Sequence, residues 1–237
     1  MNPPVQFCWT SLAACTTAAL AAAAVLAAST AGAAEPYRCT GHVTVNSNHA
    51  QVVVPAGTRC KIDPGAHVSV SGNIRIEAGA TLYLIHGESG DVGHVSVGGS
   101  VLIARGGNLL DGGKLTVKGN VIAIDVQAVY LYDNAKIEGN LKIGSWTQTV
   151  SLASVTVDGI VSIDHGHFGG GRADIFINDS RLGELVLKNN EKVFVLNIAN
   201  NRIARRLECV QDRGQLYNFG GNTVAGRAVD ETACPVA

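Results

Sequence analysis

Residues 135–144 read AKIEGNLKIG, residues 114–123 read KLTVKGNVIA, and residues 68–77 read VSVSGNIRIE. One phrase, apolar-x-Gly-polar-apolar-x-apolar, keeps returning, and it decides the fold. Its glycine falls at Gly72, Gly99, Gly119, Gly139, Gly159 and Gly183, with a degenerate copy at Arg205 and a last one at Gly226. From one copy to the next the chain advances by about 20 to 27 residues, a period that belongs to repeat architectures. Such repetition marks stacked units, each burying its face only against its neighbours.

Within the phrase apolar and polar residues alternate strictly, as a half-buried strand requires. Stacking the copies gives three apolar columns. The first is Val70, Val97, Val117, Ile137 and Val157; the second is Ile74, Val101, Val121, Leu141, Val161, Leu185 and Leu207; the third is Ile76, Ile103, Ala123, Ile143, Ile163, Leu187 and Cys209. β-Branched residues dominate and helical spacing is absent. A second short strand follows about ten residues beyond each glycine: TLYLI, AVYLY, TVSLA, DIFIN and VFVLN. The expected fold is all-β, a single-domain parallel β-helix (solenoid) of about 8 coils with roughly 20 residues per coil. At a strand spacing of about 4.8 Å the rod is roughly 35–40 Å long. A left-handed hexapeptide helix is the runner-up, but its six-residue period is missing.

By alternation the glycine of the phrase points inward. Either a side chain there collides where the coil turns, or the backbone needs a positive φ to bend. The polar residue after it (Asn73, Ser100, Asn120, Asn140) lies at an outer corner, where stacked amides can bond along the axis. Arg181 falls at an inward position of its coil, which signals a local register shift or bulge.

Residues 1–34 carry no charge, contain the run AALAAAAVLAA and end in small residues. They read as a secretory signal peptide, with Ala31-Gly32-Ala33 as an A-x-A-like cleavage site, although no Lys or Arg precedes the apolar run. The alternative is an uncleaved anchor, because the run exceeds the roughly 20 residues that span a bilayer. The domain organisation is therefore 1–34 signal peptide and 35–237 β-helix, and the expected location is secreted or cell-surface. A net charge of −1 gives no electrostatic case for nucleic acid or for an anionic membrane as partner of the mature chain.

Four cysteines remain after processing, Cys39, Cys60, Cys209 and Cys234, and an even count in an exported chain suggests two disulfides. Four cysteines allow three pairings. Cys39 and Cys60 sit near one end of the rod and Cys209 and Cys234 near the other, so pairing within each end is expected; cross-pairing would exceed the roughly 7 Å limit on Cα separation.

The phrases CTGHVTV, VKGNVIAI, IEGNLKI and LECVQ…NTVAGRAVDETAC cover nearly the whole mature chain. They resemble exported bacterial β-helix proteins of uncharacterised function that carry a signal peptide and cysteine-capped ends. More distantly the phrase resembles the bactofilins, bacterial β-helix proteins that polymerise end to end. Bactofilins are cytosolic and lack such cysteines, so filament formation is not carried over.

No catalytic signature emerges, and the sequence calls for no cofactor and no metal. Lys118, Glu138 and Asp158 form an outward column, and two carboxylates about 5 Å apart match a retaining glycosidase pair; a solvated charged face explains them as well. Asp164, His165 and His167 in the loop DHGHFGGGRAD could ligate a metal, but His-x-His with a nearby Asp is a weak match to a metal site, and the segment reads as a Gly-rich loop. A polysaccharide lyase or hydrolase is the enzymatic alternative, and it would need a cleft over these residues.

The strongest binding signal is the central outward residue of the second strand: Tyr83, Leu110, Tyr130, Ser151, Phe176, Phe194 and Tyr217. Six of these seven are apolar or aromatic in a chain with only 5 Phe and 5 Tyr. A loop or the C-terminal tail covers such a stripe, or it serves as a glycan-binding strip or a self-association face. The reading is of an exported structural or surface-interaction protein.

Overall fold

The computed structural model describes residues 35–231, apart from 89, 167–172, 191, 192, 211 and 213. The segment read as a signal peptide lies outside these, as does Cys234. The described residues contain no helix. They form a parallel β-solenoid of about 8 turns with roughly 21 residues per turn, as the repeat predicts.

Three strands make one coil. In the coil His94–Val97, Val101–Ile103 and Asn108–Asp111 they lie on three faces, here called A, B and C. Each strand pairs in parallel with its counterpart one coil away, so His94–Val97 meets Lys114–Val117, Val101–Ile103 meets Val121–Ile124 and Asn108–Asp111 meets Ala128–Leu131. Face C is a 9-stranded sheet. Faces A and B merge into one 16-stranded sheet because the long strands Thr156–Asp164, Arg181–Lys188 and Arg202–Val210 run through the corner between them.

The three columns fill the interior. Val70, Val97, Val117, Ile137 and Val157 are register partners on face A. The column from Ile74 to Leu207 and the column from Ile76 to Cys209 are both register partners on face B. All are buried. Face C contributes a further column, Cys60, Leu82, Leu109, Val129, Val150 and Ile175, also buried. In-register stacking puts like beside like, so each coil presents the next with a surface of matching shape.

The corner between A and B carries the glycines. None of Gly72, Gly99, Gly119, Gly139, Gly159 and Gly183 has a positive φ, so the reason for them is steric. Four of them donate their N–H to the carbonyl of the counterpart one coil away: Gly99 to Gly72 at 2.8 Å, Gly119 to Gly99 at 2.8 Å, Gly139 to Gly119 at 3.1 Å, and Gly159 to Gly139 at 3.1 Å; Gly72 donates to Ala50 at 2.8 Å. A Cβ on Gly139 would stand 2.5 Å from the Gly119 oxygen and 2.6 Å from Asn120 Oδ1. The glycines from Gly72 to Gly159 are half-buried at this corner instead of being core positions, which corrects the inward orientation that alternation implies.

The polar residue after each glycine completes the corner. Ser100 N–H donates to Asn73 Oδ1 (2.8 Å), Asn120 N–H to Ser100 Oγ (3.0 Å), Asn140 N–H to Asn120 Oδ1 (2.8 Å) and Ile160 N–H to Asn140 Oδ1 (2.8 Å). Each side chain thus satisfies a backbone donor that the turn leaves without a carbonyl. At Ile160 there is no side-chain acceptor, the ladder stops, and the register shifts between Val157 and Ile160. Another shift lies between Leu182 and Glu184, placing Arg181 outward beside Thr156 and Arg202. That is the bulge expected from the sequence.

The other two corners bend through left-handed residues. Asp125, Ser145, His165 and Asn189 have φ between 52° and 56° at the B–C corner, and Asn134, Ser154, Asp179 and Asn200 have φ between 53° and 68° at the C–A corner. Short polar side chains tolerate this conformation best, and Asp and Asn make up most of the set.

A disulfide closes the first end of the solenoid. Cys39 and Cys60 are bonded, with Cα atoms 5.4 Å apart, as expected. Cys209 is disulfide-bonded, and its expected partner Cys234 lies outside the described residues. At the Cys39 end the ring of Tyr37 stacks on His49 at 4.0 Å.

Replacing Gly139 by Ala should destabilise the protein by about 2–3 kcal/mol, because the clash is with backbone that cannot yield without moving a coil. Urea unfolding measures this, and a loss below about 0.5 kcal/mol, the ordinary range of a neutral surface change, would remove the steric account of the corner.

Candidate functional site

Face C holds the candidate binding stripe. Tyr83, Leu110, Tyr130, Ser151 and Phe176 are consecutive register partners, so five coils align them along the rod axis at roughly one strand spacing, about 4.8 Å. Tyr83, Leu110, Tyr130 and Phe176 are half-buried, each flanked by its neighbours above and below. Ser151 is buried and shares a hydrogen bond with Tyr132, whose ring lies 6.0 Å from that of Tyr130. Burial raises the Tyr132 hydroxyl pKa, against the lowering effect of the Ser151 bond.

Phe194 and Tyr217 do not join this line. Phe176 pairs with Asn197, and Asn197 with Asn218. Phe194 lies three residues before Asn197, and Tyr217 occupies the register position of Leu196 and Ile175, the buried column. Toward the other end the line continues through Lys61 and His42. The stripe is therefore four apolar or aromatic residues with one serine inserted, bounded by Lys61 at one end and Asn197 at the other.

A polar row runs beside it. Asn108, two residues before Leu110, donates from Nδ2 toward Thr81 Oγ1 at 3.5 Å and toward Gln127 Oε1 at 3.4 Å. Amide and hydroxyl groups thus line the apolar row on its own face.

The other sequence candidates separate. Lys118, Glu138 and Asp158 are exposed on face A one coil apart, but Glu138 is joined to Lys136 at 3.0 Å, which offsets its repulsion with Asp158. Lys136 is held above its usual pKa by that bond. His165 Nδ1 lies 3.0 Å from Asp164 Oδ1 at the B–C corner, and His167 lies outside the described residues. Among the described residues no group of three His, Cys, Asp or Glu could hold a metal ion.

The B–C corner beside His165 has a structural task. Trp146 is fully buried and donates from Nε1 to Asn190 Oδ1 at 3.3 Å. Gly166, between them, leaves space for the indole; a Cβ there would stand 2.7 Å from Cζ2. Asn190 is held by Asp212, which accepts its Nδ2 at 2.8 Å and its N–H at 3.0 Å.

One buried group escaped the sequence reading. Asp111 occupies the register position of Leu84, Leu131, Leu152 and Ile177 and is completely buried. Its Oδ1 accepts the Gly113 N–H at 3.0 Å, while Oδ2 has no partner among the described residues. Desolvation, helped by the Asp133 charge and opposed by the Gly113 bond, pushes its pKa up to about 7. A single Asp in an otherwise aliphatic column was a visible signal once the register was known.

No family model matches the chain, and comparison with curated proteins and with solved structures also gave no match.

Asp111 gives a pH test. The folded carboxyl keeps its proton up to about pH 7, whereas the unfolded one loses it near 3.8. Between these values the folded state binds the extra proton, so stability falls as pH rises from about 4 to about 7 and is level on either side. Asp111→Asn should remove that slope and raise stability at pH 8 by about 1–3 kcal/mol, the cost of the unpartnered buried charge. Denaturant unfolding at pH 4, 6 and 8 decides it; an unchanged pH slope in the variant would assign the titration elsewhere.

Proposed function

We propose that the protein is an exported, non-catalytic scaffold that binds glycan along face C through Tyr83, Leu110, Tyr130 and Phe176. The observation that carries the reading is their register: four apolar or aromatic side chains stand in one line along the rod, on an unbroken parallel ladder. Sugar rings combine an apolar face with a rim of hydroxyls. The stripe offers apolar faces, and Asn108 and the exposed Gln127 beside it offer hydrogen-bonding groups. Lys61 and Asn197 bound the stripe with polar residues, which suits an amphipathic chain better than the apolar face of a second protein. The uncharged N-terminal segment 1–34 and the cysteine caps support export, in keeping with the resemblance to exported cysteine-capped β-helix proteins.

Changing Tyr130 and Phe176 together to Ser leaves the core columns intact, since both side chains face outward. The double change should weaken glycan binding by about 10- to 100-fold, from roughly 0.5–1.5 kcal/mol of stacking per ring. A glycan array, with circular dichroism and light scattering on both proteins, reads this out. Equal binding by the folded variant would contradict the proposal, and a fall in oligomer mass on mutation would show instead that the stripe joins two copies.

A further inference from the structure

Face A carries a second feature at the opposite end of the rod from Cys39. Arg181 and Arg202 are direct register partners, flanked along the same line by Thr156 and Thr223. Both arginines are exposed. Adjacent parallel strands bring their backbones within about 4.8 Å, and like charges directly opposite on a sheet cost stability. The other cations described in these two coils are all compensated: Lys188 pairs with Glu208 at 3.0 Å, Arg205 with Glu184 at 3.0 Å, and Arg206 with both glutamates. No carboxylate among the described residues lies within 4.0 Å of Arg181 or Arg202.

The pair borders a groove of about 660 Å³. The bulges at Val157/Ile160 and Leu182/Glu184 shape it, and the small residues Gly183, Ala204 and Ala225 keep its wall low. Its lining contains three arginines and one acid, Asp158. The sheet thus sets two guanidinium groups side by side, without an acidic partner among the described residues, with a threonine on either side of them, beside this concavity.

We propose that this groove binds an anionic polysaccharide, with Arg181 and Arg202 holding its oxyanions and Thr156 and Thr223 adding hydrogen bonds. A guanidinium presents paired N–H donors that match the two oxygens of a carboxylate or a sulfate. Two of them one strand apart suit a chain whose negative groups recur along its length. A bound oxyanion between them also relieves their mutual repulsion, so the site is less stable empty than filled. This reading is independent of the stripe on face C, since the two share no residue.

The test is isothermal titration at low ionic strength, with oligogalacturonate as the carboxylate probe, a sulfated oligosaccharide as the sulfate probe and inorganic phosphate as a monomeric control. The proteins are wild type, Arg181→Gln/Arg202→Gln, and Arg75→Gln/Lys142→Gln, which removes the same charge from face B. We expect one oligosaccharide to bind the wild type and the face B variant alike. The Arg181→Gln/Arg202→Gln variant should bind it at least about 10-fold more weakly, as loss of charged hydrogen bonds implies, while melting without ligand no lower than wild type. The probe that binds tells carboxylate from sulfate. Binding of phosphate alone, equal weakening by the face B variant, or no binding by any probe would overturn the proposal.

Discussion

The structure depends on how closely one coil's backbone can approach the next at the A–B corner. There Gly99, Gly119, Gly139 and Gly159 donate along the rod to the glycine before them, in space that a single Cβ would occupy. This contact fixes the register of every coil it joins. With the register fixed, Val97 must lie on Val117 and Val101 on Val121, and period-two alternation keeps the apolar set inside. A slip of one residue would turn the whole set outward, and the glycine ladder and its asparagine companions oppose that slip at each rung.

The other two corners are free to vary because they do not carry that contact. Early coils turn through glycines such as Gly79 and Gly106, later ones through Asp, Ser, His or Asn in the same left-handed conformation. After Val155 the inner position of the C–A corner changes from apolar to polar. Ser180, Asn201 and Asn222 form a bonded ladder at the C–A corner, with Asn201 donating to Ile177 O at 2.6 Å and to Asn222 Oδ1 at 3.0 Å. Earlier in the chain, at the same C–A corner, an excursion closed by the His86–Val92 bridge leaves the solenoid while the strands on either side keep their register.

Most of the fold was legible because the information is periodic. The three apolar columns follow directly from alternation within the phrase, and the cysteine bridge at the first end follows from proximity. The stripe was legible where the outward centre of the second strand could be read directly, even at Ser151 and Phe176, whose offsets from Gly139 and Gly159 differ from the rest. Tyr83, Leu110 and Tyr130 each lie eleven residues beyond their glycine, and so does Phe194 beyond Gly183. In that coil, however, the B–C corner holds additional residues around the buried Asn190, and the register position passes to Asn197. Nothing in the local sequence of VFVLN marks that change, because its apolar residues fit either phase. Asp111 was missed for a different reason: its strand, NLLD, looks like a strand ending in a turn, and only the neighbouring coils show that the fourth position is inside. The pairing of Arg181 with Arg202 likewise appears only after two bulges are placed.

A rod of this kind gives three long, nearly flat faces from one repeated corner, and its side chains act as rows instead of as a pocket. The account rests on that corner, and amide hydrogen exchange at Ser100, Asn120, Asn140 and Ile160 tests it most directly. Each of these N–H groups is bonded to a side chain one coil away, although by sequence each lies at a turn. Protection equal to that of the core amides of Val121 and Leu141 is the predicted result. Exchange at the rate of an exposed turn, with the core amides still protected, would contradict it.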